Sequence, residues 1–112
     1  MTASRPPVET VSREEVKRGM ADGSLVLIDV REPHEYAAGH IPGALLMPLS
    51  SFDPAKLPKE AGKRVAFSCN TGRRTLVALE KAHAAGRTDV TTHYQGSFSD
   101  WKSAGEPIES GS

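Results

Sequence analysis

Apolar residues along this chain fall in short blocks, and the blocks are of two kinds. Leu25-Val26-Leu27-Ile28-Asp29-Val30 is apolar almost throughout, the pattern of a strand buried on both faces, as in a parallel sheet. Arg64 to Ser68, built on Val65-Ala66-Phe67, predicts another such strand. Val8 to Val11, Leu45 to Leu49 and Val90 to Tyr94 predict three shorter ones. The other blocks have helix signals. Ser12-Arg13-Glu14-Glu15 has capping-box spacing and predicts a helix ending near Asp22-Gly23. Pro33 opens a short helical turn, His34 to Ala38, closed by Gly39. Asp53 to Leu57 predicts another short helix. A longer one runs from Thr71 or Thr75 to Ala85, with Gly86 as its stop. Gln95-Gly96-Ser97 turns the chain into a closing helix, Phe98 to Ser103.

Strands alternate with helices, so the expected class is α/β, a layered structure with a mostly parallel sheet. At 112 residues one domain is expected. Its body is taken as 8–108, with 1–7 a loose, flexible arm. The chain turns polar from Gly105, and 109–112 is expected to fray. In parallel sheets, ligands sit beyond the carboxyl ends of the strands. Asp29 and Cys69 both fall there, which puts Asp29, Arg31 and Cys69 on one edge.

Charge and cysteine content narrow the function. Lys and Arg number 14, as do Asp and Glu, so the zero net charge lends no support to a nucleic-acid or membrane-surface role. No apolar stretch approaches the ~20 residues of a membrane span. Met1 to Pro7 lacks the apolar core of a secretory signal. The single cysteine excludes an intrachain disulfide and fits a reducing compartment, so a cytoplasmic location is expected. His34, His40, His83 and His93 share no metal-ligand spacing with Cys69, and no metal or cofactor is expected.

Cys69 ends a predicted strand and opens Cys69-Asn70-Thr71-Gly72-Arg73-Arg74-Thr75, a loop running into a helix N-terminus. Amides converge at such a turn, and the helix dipole favours negative charge there. The setting suits a thiolate and can take a cysteine pKa from ~8.5 to roughly 3.5–7.5. A lone cysteine is more commonly an inert core residue. Two adjacent arginines and a glycine argue against that here.

Two segments resemble the rhodanese family. Leu27 to Ala44, reading LIDVREPHEYAAGHIPGA, is similar to its first signature, and Cys69 to Thr75 to its active-site loop. Tyr94 to Pro107 is similar to its closing segment, a glycine turn followed by an aromatic-anchored helix. The resemblance runs from Val8 to Ile108. It implies a rhodanese-like fold, with a central five-stranded parallel sheet flanked by helices. It also implies sulfur transfer: Cys69 attacks the sulfane sulfur of a donor such as thiosulfate or a persulfide, becomes a persulfide itself, and passes the sulfur on. The acceptor would be cyanide or an external thiol, such as thioredoxin or a small thiol. The family's phosphatase relatives place one residue more between cysteine and arginine than the four, Asn70 to Arg73, found here. The shorter loop suits a sulfur atom better than a phosphoryl group. Two departures stand out. Asn70 replaces the arginine that follows the cysteine in many thiosulfate-using members. Gly96-Ser97 replaces a frequent double glycine, a change expected to matter little.

The remaining site residues carry specific expectations. Asn70, Thr71, Gly72, Arg73, Arg74 and Thr75 form the substrate loop, with Gly72 supplying a positive φ. Arg73 is the candidate for steering an anion. Arg74 either binds an anionic donor or ties the loop to the body through a carboxylate. Asp29 and Arg31 support the site, as an ion pair or by adding positive potential. Glu35 is an ion-pair residue, His40 a turn residue, and Phe98 and Trp101 helix anchors. Two other classes remain: a binding or regulatory module without turnover, and a redox-sensing thiol.

Overall fold

Two buried strands side by side set the frame of the molecule, seen in a computed structural model that describes residues 8–59 and 62–111. β2 (Leu25–Asp29) and β4 (Arg64–Ser68) pair in parallel, from Leu25 opposite Arg64 to Asp29 opposite Ser68. β5 (Thr92–Tyr94) and then β1 (Glu9–Val11) extend the sheet beyond β4, and β3 (Leu45–Leu46) flanks β2 on the other side. The result is the expected five-stranded sheet, parallel throughout, in the order β1-β5-β4-β2-β3.

Alternation along the strands sorts the core into two layers. Ile28, Val30, Val65, Phe67 and Cys69 pack with Ala78, Leu79 and Ala82 of α3 (Arg74–Ala84). Leu25, Leu27, Ala66 and Tyr94 pack on the other face with Val16 of α1 (Arg13–Asp22) and Trp101 of α4 (Ser97–Ser103). Each fully buried Leu, Ile or Phe contributes about 1.5–3 kcal/mol. The odd-numbered face of β4 therefore carries Cys69 to the α3 side of the sheet.

Local signals place the helix ends. The Ser12 hydroxyl accepts the Glu15 N–H at 3.1 Å while Glu15 accepts the Ser12 N–H at 3.0 Å, so the expected capping box forms. α2 (Pro33–Ala38) starts at the predicted proline. Other boundaries differ from expectation. β3 stops after Leu46, because Leu49–Ser51 turns into a 3₁₀ segment. Asp53 to Leu57 holds only a 3₁₀ turn, Pro54–Lys56. β5 begins at Thr92, and α3 at Arg74.

Glu109 pairs its backbone with His40, by bonds of 2.7 and 2.9 Å, and the Gly111 N–H donates to the Ala37 carbonyl at 2.8 Å. The Trp101 indole N–H donates to the Pro107 carbonyl at 2.6 Å. These bonds hold 107–111 against α2 and α4. The expected arm, 1–7, and Ser112 lie outside the described residues.

Candidate active site

Cys69 follows the last residue of β4, and the chain then wraps around its sulfur before entering α3. The wrap depends on Gly72. Its φ is +92°, in the left-handed region that favours glycine. A Cβ there would lie 2.3 Å from the Gln95 carbonyl oxygen, so no side chain fits. With that close approach available, the Gly72 N–H points at Cys69 Sγ at 3.0 Å. Burial pushes the thiol pKa up. The amides of Thr75, Gly72 and Arg74 and the Ser97 hydroxyl outweigh it, and the net shift is downward. The positive end of α3 acts in the same direction.

Ser97 is more important than the sequence suggested. Its φ of +53° makes it the only non-glycine in the left-handed region among the described residues. That conformation turns its hydroxyl beneath the loop. Oγ accepts the Cys69 N–H at 3.0 Å, donates to the Tyr94 carbonyl at 2.8 Å and lies 3.9 Å from Sγ. The next two amides continue the attachment: Phe98 N–H donates to the Cys69 carbonyl and Ser99 N–H to that of Asn70, both at 3.0 Å. A glycine here would adopt the turn but bring no hydroxyl. The signal lay in the departure from the double glycine.

Arg74 faces Glu35, not the sulfur. Its Nη1 and Nη2 donate to Oε1 and Oε2 at 2.7 and 3.0 Å, the bidentate geometry of a strong pair. The Arg74 guanidinium holds the Glu35 carboxyl down at about 2. Glu35 also accepts the Glu32 N–H at 2.9 Å, so one carboxylate fixes both the start of α2 and the start of α3. Thr75 is fully buried. Its hydroxyl donates to the Gly72 carbonyl at 2.9 Å and meets His93 Nδ1 at 2.7 Å. Burial lowers the His93 pKa and favours the neutral ring. Only the amide of Thr75 faces the sulfur.

Asp29 and Arg31 lie below the opening as a buried pair. Arg31 Nη2 donates to Asp29 Oδ2 at 2.9 Å and to the Gly39 carbonyl at 2.7 Å, and its guanidinium lies 4.4 Å from the Phe98 ring centre. Asp29 Oδ1 accepts the Arg31 N–H at 2.9 Å. His40 stacks on Tyr36 at 3.6 Å and pairs Nδ1 with the Tyr36 carbonyl. Asn70, Thr71 and Arg73 are exposed around the mouth, while Cys69 itself is only 1% exposed.

The family model of the rhodanese-like domain matches residues 12–104. The chain belongs to the rhodanese family. A Saccharomyces cerevisiae protein named thiosulfate:glutathione sulfurtransferase is 35% identical over 113 residues, covering 88% of this chain and 81% of that protein. The structure of the human single-domain sulfurtransferase TSTD1 superposes with a TM-score of 0.70 at 34% identity, over 84% of this chain and 95% of the human one. An uncharacterized Synechocystis protein, slr1261, is 32% identical over 107 residues. The chain spans 96% of its own length in that match but 59% of the relative's. In this chain the loop from Cys69 to Thr75 turns the Gly72, Arg74 and Thr75 amides toward Sγ, while the Arg74 side chain braces the loop to Glu35. Among the described residues no three His, Cys, Asp or Glu side chains converge as metal ligands. Among those residues, too, no helix is long and apolar enough to cross a membrane.

Proposed function

We propose that this protein is a sulfurtransferase that carries sulfur as a persulfide on Cys69. The observation that supports it most is the amide cradle closed by the Gly72 N–H at 3.0 Å from Sγ. Fixed donors aimed at Sγ favour the thiolate, which is the form that attacks. With thiosulfate as donor, the thiolate attacks the outer sulfur, an S–S bond forms to Sγ, the sulfur–sulfur bond of thiosulfate breaks, and sulfite leaves with the electron pair. The same amides then stabilise negative charge on the bound sulfur. An external thiolate next attacks that sulfur and regenerates the Cys69 thiolate.

The burial of Cys69 limits what reaches it. A donor must present its reactive atom on a thin stem, as thiosulfate and persulfides do. Arg73, exposed beside the mouth and without an ion-pair partner among the described residues, supplies the steering charge. Arg31 supports the floor from within its pair with Asp29. The acceptor is a small thiol or a protein thiol in the reducing compartment that a single-cysteine chain suits.

The test is intact mass spectrometry of the reduced protein after thiosulfate or polysulfide, beside Cys69→Ala. The expected result is a gain of one sulfur, absent in the variant and reversed by cyanide. If no donor loads Cys69, the reading is wrong and a binding module takes its place.

A further inference from the structure

Asn70, which follows the buried Cys69 in the chain, lines one end of a groove shared by the end of α2 and by α4. Ala38 and Gly39 line one side, and Phe98, Lys102 and Ile108 the other, with a volume of about 350 Å³. Thiosulfate has five heavy atoms, so the groove is larger than that donor needs. Gly39 keeps it open: a Cβ there would press on Ile108 Cγ2 at 3.3 Å and Phe98 Cζ at 3.4 Å.

The charge in this groove is lopsided. Arg31 is neutralised by Asp29 at 2.9 Å, and Glu35 by Arg74 at 2.7 Å. The Lys102 side chain has no ion-pair or hydrogen-bond partner among the described residues, and the residue is exposed on α4. It lies one helical turn beyond Phe98, whose amide is bonded to the Cys69 carbonyl. A cleft with apolar walls and one uncompensated cation at its rim takes an amphipathic anion.

We propose that this groove seats the sulfur acceptor, a small thiol carrying a carboxylate, and that Lys102 selects it through that carboxylate. The inference rests on the persulfide reading above. The apolar wall of Phe98, Ile108 and Ala38 packs the acceptor's carbon skeleton, and Lys102 holds its carboxylate at the outer end. Its thiolate then points past Asn70 toward the outer sulfur. As the acceptor's S–S bond forms, the bond to Sγ breaks, and Sγ keeps the electron pair as a thiolate. The outer sulfur leaves on the acceptor with whatever proton it carried.

The experiment separates the two half-reactions. Cys69 is loaded with thiosulfate and followed by mass spectrometry. Unloading is then timed with glutathione, 2-mercaptoethanol and cysteamine, which are anionic, neutral and cationic. Each thiol is compared between the parent, Lys102→Glu, Lys102→Arg and a distant charge reversal, Lys81→Glu at the far end of α3, so differences in thiol reactivity cancel. In Lys102→Glu, the KM for glutathione should rise about tenfold, since an attraction is lost and a repulsion gained. The KM for 2-mercaptoethanol should hold, that for cysteamine should hold or fall, and loading should keep its rate. Lys102→Arg should retain the preference for glutathione, and Lys81→Glu should change none of these. A glutathione KM changed by less than about twofold overturns the proposal. So does an equal change for all three thiols, a matching effect of Lys81→Glu, or slowed loading. A parent protein that never loads overturns the persulfide reading itself and this inference with it.

Discussion

Replacing Gly72 with alanine puts the loop geometry to its sharpest test. The new Cβ would stand 2.3 Å from the Gln95 carbonyl oxygen, a backbone atom with little freedom to yield. Restoring ordinary contact near 3.4 Å requires the loop to retreat by about 1 Å. Alanine in the left-handed conformation costs a further 1–2 kcal/mol or so. A retreat of that size stretches the 3.0 Å contact between the Gly72 N–H and Sγ to about 4 Å, at the outer limit for a sulfur acceptor. Losing one hydrogen bond to a charged group costs about 1.5–3 kcal/mol. At 1.36 kcal/mol per unit, the thiol pKa should rise by roughly one to two units. The assay is the pH dependence of alkylation by iodoacetamide, whose midpoint reports the thiolate, with thermal unfolding alongside. A native-like melt together with a midpoint within about 0.3 units of the parent would refute the claim that this amide holds the thiolate.

Two further outcomes follow from the braces around the loop. Glu35 ionises at about 2 in the folded protein against an ordinary 4.5, so its pairing with Arg74 stabilises fully above pH 4.5 and is lost as pH falls toward 2. Arg74 is about a third exposed, and screening reduces the pair's contribution to about 1–2 kcal/mol. Chemical denaturation of Glu35→Gln should show that deficit at pH 7 and a shrinking one below pH 4, and a deficit independent of pH rejects the pairing as its source. At Ser97, alanine keeps the strained φ and leaves the Cys69 N–H without its acceptor, whereas glycine relieves the strain. Ser97→Ala should therefore melt below Ser97→Gly by about 1 kcal/mol or more, and both should raise the thiol pKa. Equal melting temperatures for the two variants would remove strain from the account of this residue.

Much of the fold was legible because its signals are local. The alternation of Val65, Phe67 and Cys69 against Ala66 records which face each side chain takes, and the Ser12 capping box marks where a helix starts. The same locality made Gly72 and the loop amides readable, since a turn of a few residues is shaped by its own backbone. Boundaries such as the end of β3 were not legible, because Met47 and Leu49 bond to Asp29 and Val30 carbonyls, and only the placement of β2 provides those acceptors.

What the chain by itself determined is the α/β alternation and the turn that aims amides at Cys69, the proposed nucleophile. The partners of the site were decided by tertiary structure. Arg74 had two readings until α2 brought Glu35, 39 residues earlier, against α3. Ser97 and His93 reach the loop from 28 and 18 residues away, across the β4–β5 edge of the sheet. The polar tail carries no local signal for its neighbour, and only the fold brings it to the His40 backbone, which offers it a donor and an acceptor. Hydrophobic periodicity specifies which face a residue occupies. It does not specify which distant segment lies beside it, and strand order does.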